Sequence, residues 1–150
     1  ISKPATLEIL SEEEKTFVAK HFPFTTQLKN GNYDFNEVKY SKEKWVVKPK
    51  DAVGASKVYV GADMKQDEWE KALNEGIAND CLLQEYCEPF KVSNSHFTDE
   101  GGFIEDEFGT MIGLYIFNEE LKGFYPRAGK KGLISKGHGC FSMGAFIEEA

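Results

Sequence analysis

The chain has 150 residues, of which 41% are hydrophobic and 12 are phenylalanine, enough apolar side chain to fill a core and to exclude wholesale disorder. Its 18 basic and 25 acidic residues leave a net charge of -7, with Arg127 the only arginine and Lys130-Lys131 the longest basic run. That balance excludes a nucleic-acid partner, since phosphate backbones are held by clustered Lys and Arg.

In chain order, Pro4 suits the first turn of a helix that Ala5, Leu7, Ile9 and Leu10 continue. Ser11-Glu12-Glu13-Glu14 is a capping box, which predicts a second helix running toward Lys20 and stopped by Pro23. Thr25 to Lys39 is polar and broken by Asn30-Gly31-Asn32, and reads as a loop. Trp45-Val46-Val47 predicts a strand ended by Lys48-Pro49, followed by a Gly54-Ala55-Ser56 loop and a returning strand from Lys57 to Gly61. Asp63 is expected to cap a helix whose apolar face is Trp69, Ala72, Leu73, Gly76 and Ile77. Cys81 to Cys87 reads as a strand halted at Glu88-Pro89. The remainder reads as β structure: Phe90 to Phe97, Gly102 to Phe108, then Met111 to Phe117 paired with Gly123 to Arg127 through a loop at Asn118 to Lys122.

No signal peptide is visible. The longest apolar stretch, Met111 to Phe117, is strand-sized, whereas a membrane helix needs roughly 20 apolar residues, so no membrane partner is expected. Cys81 and Cys87 on one strand stand too far apart to bridge each other, and the odd count with Cys140 points to three reduced thiols and a cytoplasmic protein. His21, His96 and His138 lack metal-ligand spacing.

Three pieces carry candidate chemistry. Lys48 closes a buried strand with its ammonium at the strand end, which suits a phosphate, although many strand-end lysines merely meet water. The small residues Gly54, Ala55 and Ser56 let backbone amides approach an anion, and Ser56 adds a hydroxyl donor. A segment such as Gln84-Glu85-Tyr86 can offer one backbone C=O and one N–H to adenine, or it is an ordinary half-buried strand. Asp99-Glu100 and Glu105-Asp106-Glu107 read more easily as solvated charge than as Mg²⁺ ligands.

In this order and spacing the pieces resemble the ATP-grasp superfamily. More narrowly, they resemble its circularly permuted members related to glutathionylspermidine synthase. The matching stretches are KWVVKPKDAVGASKVYVG from Lys44, DEWEKAL from Asp67, LLQEYCEP from Leu82 and GFYPRAGKKGLIS from Gly123. Ser2-Lys3-Pro4-Ala5 resembles the family's opening. The resemblance implies an α+β fold of mostly antiparallel sheets with a few packed helices, as an incomplete, C-terminal part of a longer protein. Residues 1–88 would form a lid-type nucleotide-binding subdomain and residues 89–150 a partial core subdomain.

The resemblance also implies roles by position. Lys48, with Lys3, would contact ATP phosphate; Gly54 and Ser56 would close over the triphosphate; Glu85 and Tyr86 would frame adenine through backbone groups, with Gln84 beside them. Mg²⁺ would be held by the remainder of the parent chain, where the family's metal ligands precede these lysines. The implied activity is ATP-dependent carboxylate–amine ligation through an acyl phosphate, absent from this piece alone. Two other readings stand: a nucleotide-binding pseudoenzyme, which the glycine-poor loop allows, and an interaction domain using Phe22, Phe24, Tyr33 and Phe35.

Overall fold

The computed structural model describes residues 4–53 and 55–146. It is an α+β chain dividing into two compact units, residues 1–87 and 88–150, each built on a four-stranded antiparallel sheet.

The first unit opens with a short helix α1 (Pro4–Leu7), which stops before Ile9 and Leu10 instead of taking them in. Helix α2 (Glu12–His21) begins where the capping box requires. Ser11 Oγ accepts from Glu14 N at 3.3 Å, and the Glu14 carboxylate accepts from Ser11 N at 2.8 Å. The stretch read as loop from Thr25 to Lys39 instead contains strand β1 (Thr25–Gln27) and the start of helix α3 (Phe35–Tyr40). Both are too short to show a period in sequence. Helix α3 is announced only by Asp34, whose carboxylate accepts from Asn36 N at 2.8 Å.

Strand β2 (Trp45–Lys48) falls where its apolar run predicts, but the returning strand β3 is only Tyr59–Val60. Lys57 takes a positive φ of 56°, which keeps it out of a strand, and Gly61 already belongs to a 3₁₀ turn. That turn also holds Asp63, so helix α4 (Gln66–Ala78) is capped two residues later, at Lys65, whose N–H donates to the Glu68 carboxylate at 2.9 Å. Helix α4 ends in a Schellman arrangement: Cys81 N donates to Gly76 O at 2.9 Å, with Asp80 at φ 53°. Strand β4 (Leu82–Glu85) follows. The sheet order is β1-β4-β2-β3, so β4 is paired on both sides.

Strand alternation divides this sheet cleanly. Val47 and Leu83 point to one face, where Trp69, Ala72 and Leu73 of α4 cover them together with Leu28 and Val38. The buried Trp69 indole donates to Val38 O at 3.0 Å, tying α4 to α3. Gly76 lets the helix approach: a Cβ there would lie 2.6 Å from Leu28 Cδ2 and 2.8 Å from Val47 Cγ1.

The second unit is a meander, β5-β6-β7-β8: β5 (Lys91–Phe97), β6 (Phe103–Phe117), β7 (Glu120–Gly129) and β8 (Phe141–Ser142). The two strands expected from Gly102 to Phe108 and Met111 to Phe117 are one, because Gly109 pairs with Lys91 and Gly129 without a turn. The loop expected at Asn118 to Lys122 shrinks to Asn118-Glu119, both at positive φ (50° and 62°), as a type I′ hairpin requires. Lys122 becomes the bulge where the register shifts. Phe108, Ala128 and Ile134 are buried in this unit; most of the β6–β7 hairpin beyond them is exposed.

Candidate functional site

The face of the first sheet turned away from α4 carries a row of polar side chains from three adjacent strands. Lys48 follows Val47 in β2, so its side chain leaves the sheet on the side opposite the helix. There Lys48 Nζ donates to Gln84 Oε1 at 2.7 Å, and Gln84 Nε2 donates to Thr25 Oγ1 at 2.8 Å. The Thr25 hydroxyl passes its own proton to Pro23 O at 3.1 Å. The amide of Gln84 is thereby oriented from both sides, and Lys48 is held half-buried at the end of its strand.

The charge on that row is unbalanced. Among the described residues no carboxylate pairs with Lys48, while seven other lysines do find one. A neutral amide oxygen satisfies one N–H of the ammonium and cancels none of its charge. The arrangement can receive an anion, with Lys48 as the point charge and Thr25 and Gln84 fixing where it stands. Thr25 carries no signal in the sequence; its place comes from the pairing of a three-residue strand, Thr25 opposite Gln84.

Glu85 ends the same strand and Tyr86 follows it. The Glu85 N–H donates to Phe24 O at 2.9 Å and the Tyr86 N–H to Lys44 O at 2.7 Å. Both amides are therefore used by the sheet; the next N–H along the chain is that of the exposed Cys87. By alternation Glu85 turns its side chain to the opposite face from Gln84, where its carboxylate accepts from Phe24 N at 3.3 Å and borders a groove of about 430 Å³ lined by Leu7, Val18, Phe22 and Phe24. The bond from Tyr86 to Lys44 extends the ladder one residue past the strand, which puts Tyr86 on the Lys48 side.

The loop after β2 goes elsewhere. Ser56 borders a second cavity, about 480 Å³, with Pro49, Tyr59, Glu75, Gly76 and Cys81, at the end of α4. It thus lies on the α4 side of the sheet, across from Lys48. Burial, then the Glu75 carboxylate, pushes the Cys81 thiol above its usual range, and burial does the same to the Tyr59 hydroxyl. All three cysteines are unpaired. Lys3 and Gly54 lie outside the described residues.

In the second unit Asp106 pairs with Lys130, and among the described residues no three His, Cys, Asp or Glu side chains gather as metal ligands. Arg127, noted in sequence only for being alone, has its Nε buried without a hydrogen-bond partner. No described helix is long and apolar enough to cross a membrane. No family model, curated protein or solved structure matches the chain.

Proposed function

We propose that the Lys48–Gln84–Thr25 face binds the phosphates of ATP, and that the chain is the nucleotide-holding part of an ATP-grasp carboxylate–amine ligase. The observation that carries this reading is the half-buried Lys48, fixed by a neutral amide and balanced by no carboxylate among the described residues. An ammonium carries three donors, and the Gln84 amide oxygen takes one of them. Tyr86, on the same side at the other end of β4, would meet the base, with Glu85 and Cys87 supplying backbone contact. Lys3 would add a second charge to the phosphates. Gly54 and Ser56 would close over the triphosphate, for which Ser56 would swing from the α4 side across the edge of the sheet.

In this proposal ATP phosphorylates a carboxylate and an amine displaces the phosphate. The carboxylate and amine sites, and Mg²⁺, belong to the remainder of the parent chain in the cytoplasm. The described residues of this chain offer no cluster of three ligands for the metal. Calorimetry with a non-hydrolysable ATP analogue, beside a phosphate-release assay, tests the reading: weak binding without turnover is expected. No heat at millimolar nucleotide would overturn it.

The interaction-domain reading keeps one observation of its own. Phe22, Phe24 and Phe35 are exposed on the first unit, although Tyr33 is half-buried with its hydroxyl donating to Leu28 O. Exposure of the second unit's hairpin is more extensive still.

A further inference from the structure

The long strand β6 is paired with β5 only from Phe103 to Gly109, while β7 covers its other edge as far as Phe117. From Ile112 onward no described strand pairs with its β5-side edge. Thr110 N donates to Phe90 O on that side, so by the antiparallel alternation the N–H and C=O groups of Ile112, Leu114 and Ile116 point outward along it. The odd residues up to Phe117 face β7, and the bulge lies in β7, which keeps the alternation of β6 unbroken.

No charge and no proline occurs between Phe108 and Asn118, and Ile112, Leu114 and Ile116 are 51%, 56% and 65% exposed. A two-stranded ribbon of this kind is marginal alone in water.

We propose that the open β6 edge pairs with the same edge of a second copy of this chain, antiparallel, about a two-fold axis at Leu114. That register matches each outward group with a partner. Leu114 meets Leu114, and Ile112 and Ile116 meet each other on both sides of the axis, so all three outward N–H groups find carbonyls. On the other face Gly113 comes opposite Tyr115, where the absent side chain leaves room for the ring. A chain carrying a net charge of -7 brings no charged residue to this seam, so the copies meet where repulsion is least. One such edge buries less than the roughly 1,200 Å² of a stable complex, which makes the pair concentration-dependent.

Sedimentation equilibrium across a concentration series should show the mass rising from 16.9 kDa toward twice that value. Leu114→Pro removes an outward N–H without touching the β6–β7 ladder, and Leu114→Lys puts two charges on the axis; each should keep the chain monomeric with an unchanged circular dichroism spectrum. Leu121→Lys, exposed on β7 but away from the edge, should leave the dimer intact. In a Cys87→Ser background, Leu114→Cys should cross-link on oxidation and Ile112→Cys should not. A wild-type chain monomeric throughout, a dimer that survives both Leu114 variants, loss of the dimer in Leu121→Lys, or cross-linking through Ile112→Cys would each overturn the proposal.

Discussion

Lys48 and Gln84 join two neighbouring strands through their side chains, Nζ to Oε1 at 2.7 Å, on the face that α4 leaves uncovered. The residues are diagonal neighbours, since Gln84 pairs directly with Val46. The bond therefore fixes a long, flexible side chain in one place before any ligand arrives.

From this follows the first expectation. Lys48→Ala should weaken binding of an ATP analogue by roughly ten- to a hundredfold, the worth of one hydrogen bond to a charged group. Gln84→Leu should cost less, because it frees the ammonium to move without removing it. Equal affinity in wild type and Lys48→Ala by calorimetry would leave the anion without its charge partner and end the assignment.

Gly76→Ala sets two effects against each other. A helix interior gains about 1 kcal/mol from alanine over glycine. Against this, the new methyl would meet buried Leu28 and Val47 at 2.6 and 2.8 Å, and overpacking of that kind costs about 1–3 kcal/mol. Val47 is β-branched and held in a central strand, so it has little room to yield. Denaturant unfolding should show a net loss of about 1 kcal/mol.

The acid response of α2 should run through Glu14. The N–H of Ser11, and then its hydroxyl, hold the Glu14 carboxyl below its ordinary value of 4.5. A group lowered on folding contributes fully above the unfolded value and loses its contribution as pH falls through the lowered one. Glu14→Gln should thus be less helical than wild type near neutrality, and the difference should close on acidification below about 4.5. Far-UV circular dichroism of the two proteins against pH reads this directly.

Arg127 offers a test of a different sort. Its Nε is buried without a hydrogen-bond partner, its Nη2 donates to Met111 Sδ at 3.9 Å, and its guanidinium carbon lies 5.2 Å from the centre of the Tyr125 ring. An unsatisfied buried polar group costs about 1–3 kcal/mol, so Arg127→Met should hold or raise the melting temperature of the second unit. A clear fall would mean that the contact with the Tyr125 ring outweighs the unpaired Nε.

What the sequence disclosed depended on length and period. Helix α4 shows its face at Trp69, Ala72, Leu73 and Gly76 because thirteen residues sample more than three turns. The capping box at Ser11 is legible because two side chains must cooperate at a fixed spacing. Thr25–Gln27 was not, since three polar residues owe their strand to β4 alone. The unity of β6 is not visible in the chain, since only pairing shows that Gly109 continues the strand; in the sheet it lies against Pro89, whose Cβ would be 3.3 Å from an added methyl. Of the site, Lys48 and Gln84 could be named from the chain; their direct bond and Thr25 could not, because register decides them. Ser56 stands eight residues from Lys48 yet borders the cavity at the end of α4, a placement that only the folded loop decides.

The depth of Trp69 has an optical consequence. Both tryptophans, Trp45 and Trp69, belong to the first unit, and the second contains none. Trp69 is wholly enclosed, whereas Trp45 stays partly open to solvent beside the Phe24 ring. Indole emission thus arises from residues 1–87, with one blue and one redder emitter, and no indole stands on the β6–β7 ribbon. Peptide ellipticity sees both. Melts followed by the two signals would superimpose if the units unfold as one, and separate if each has its own transition.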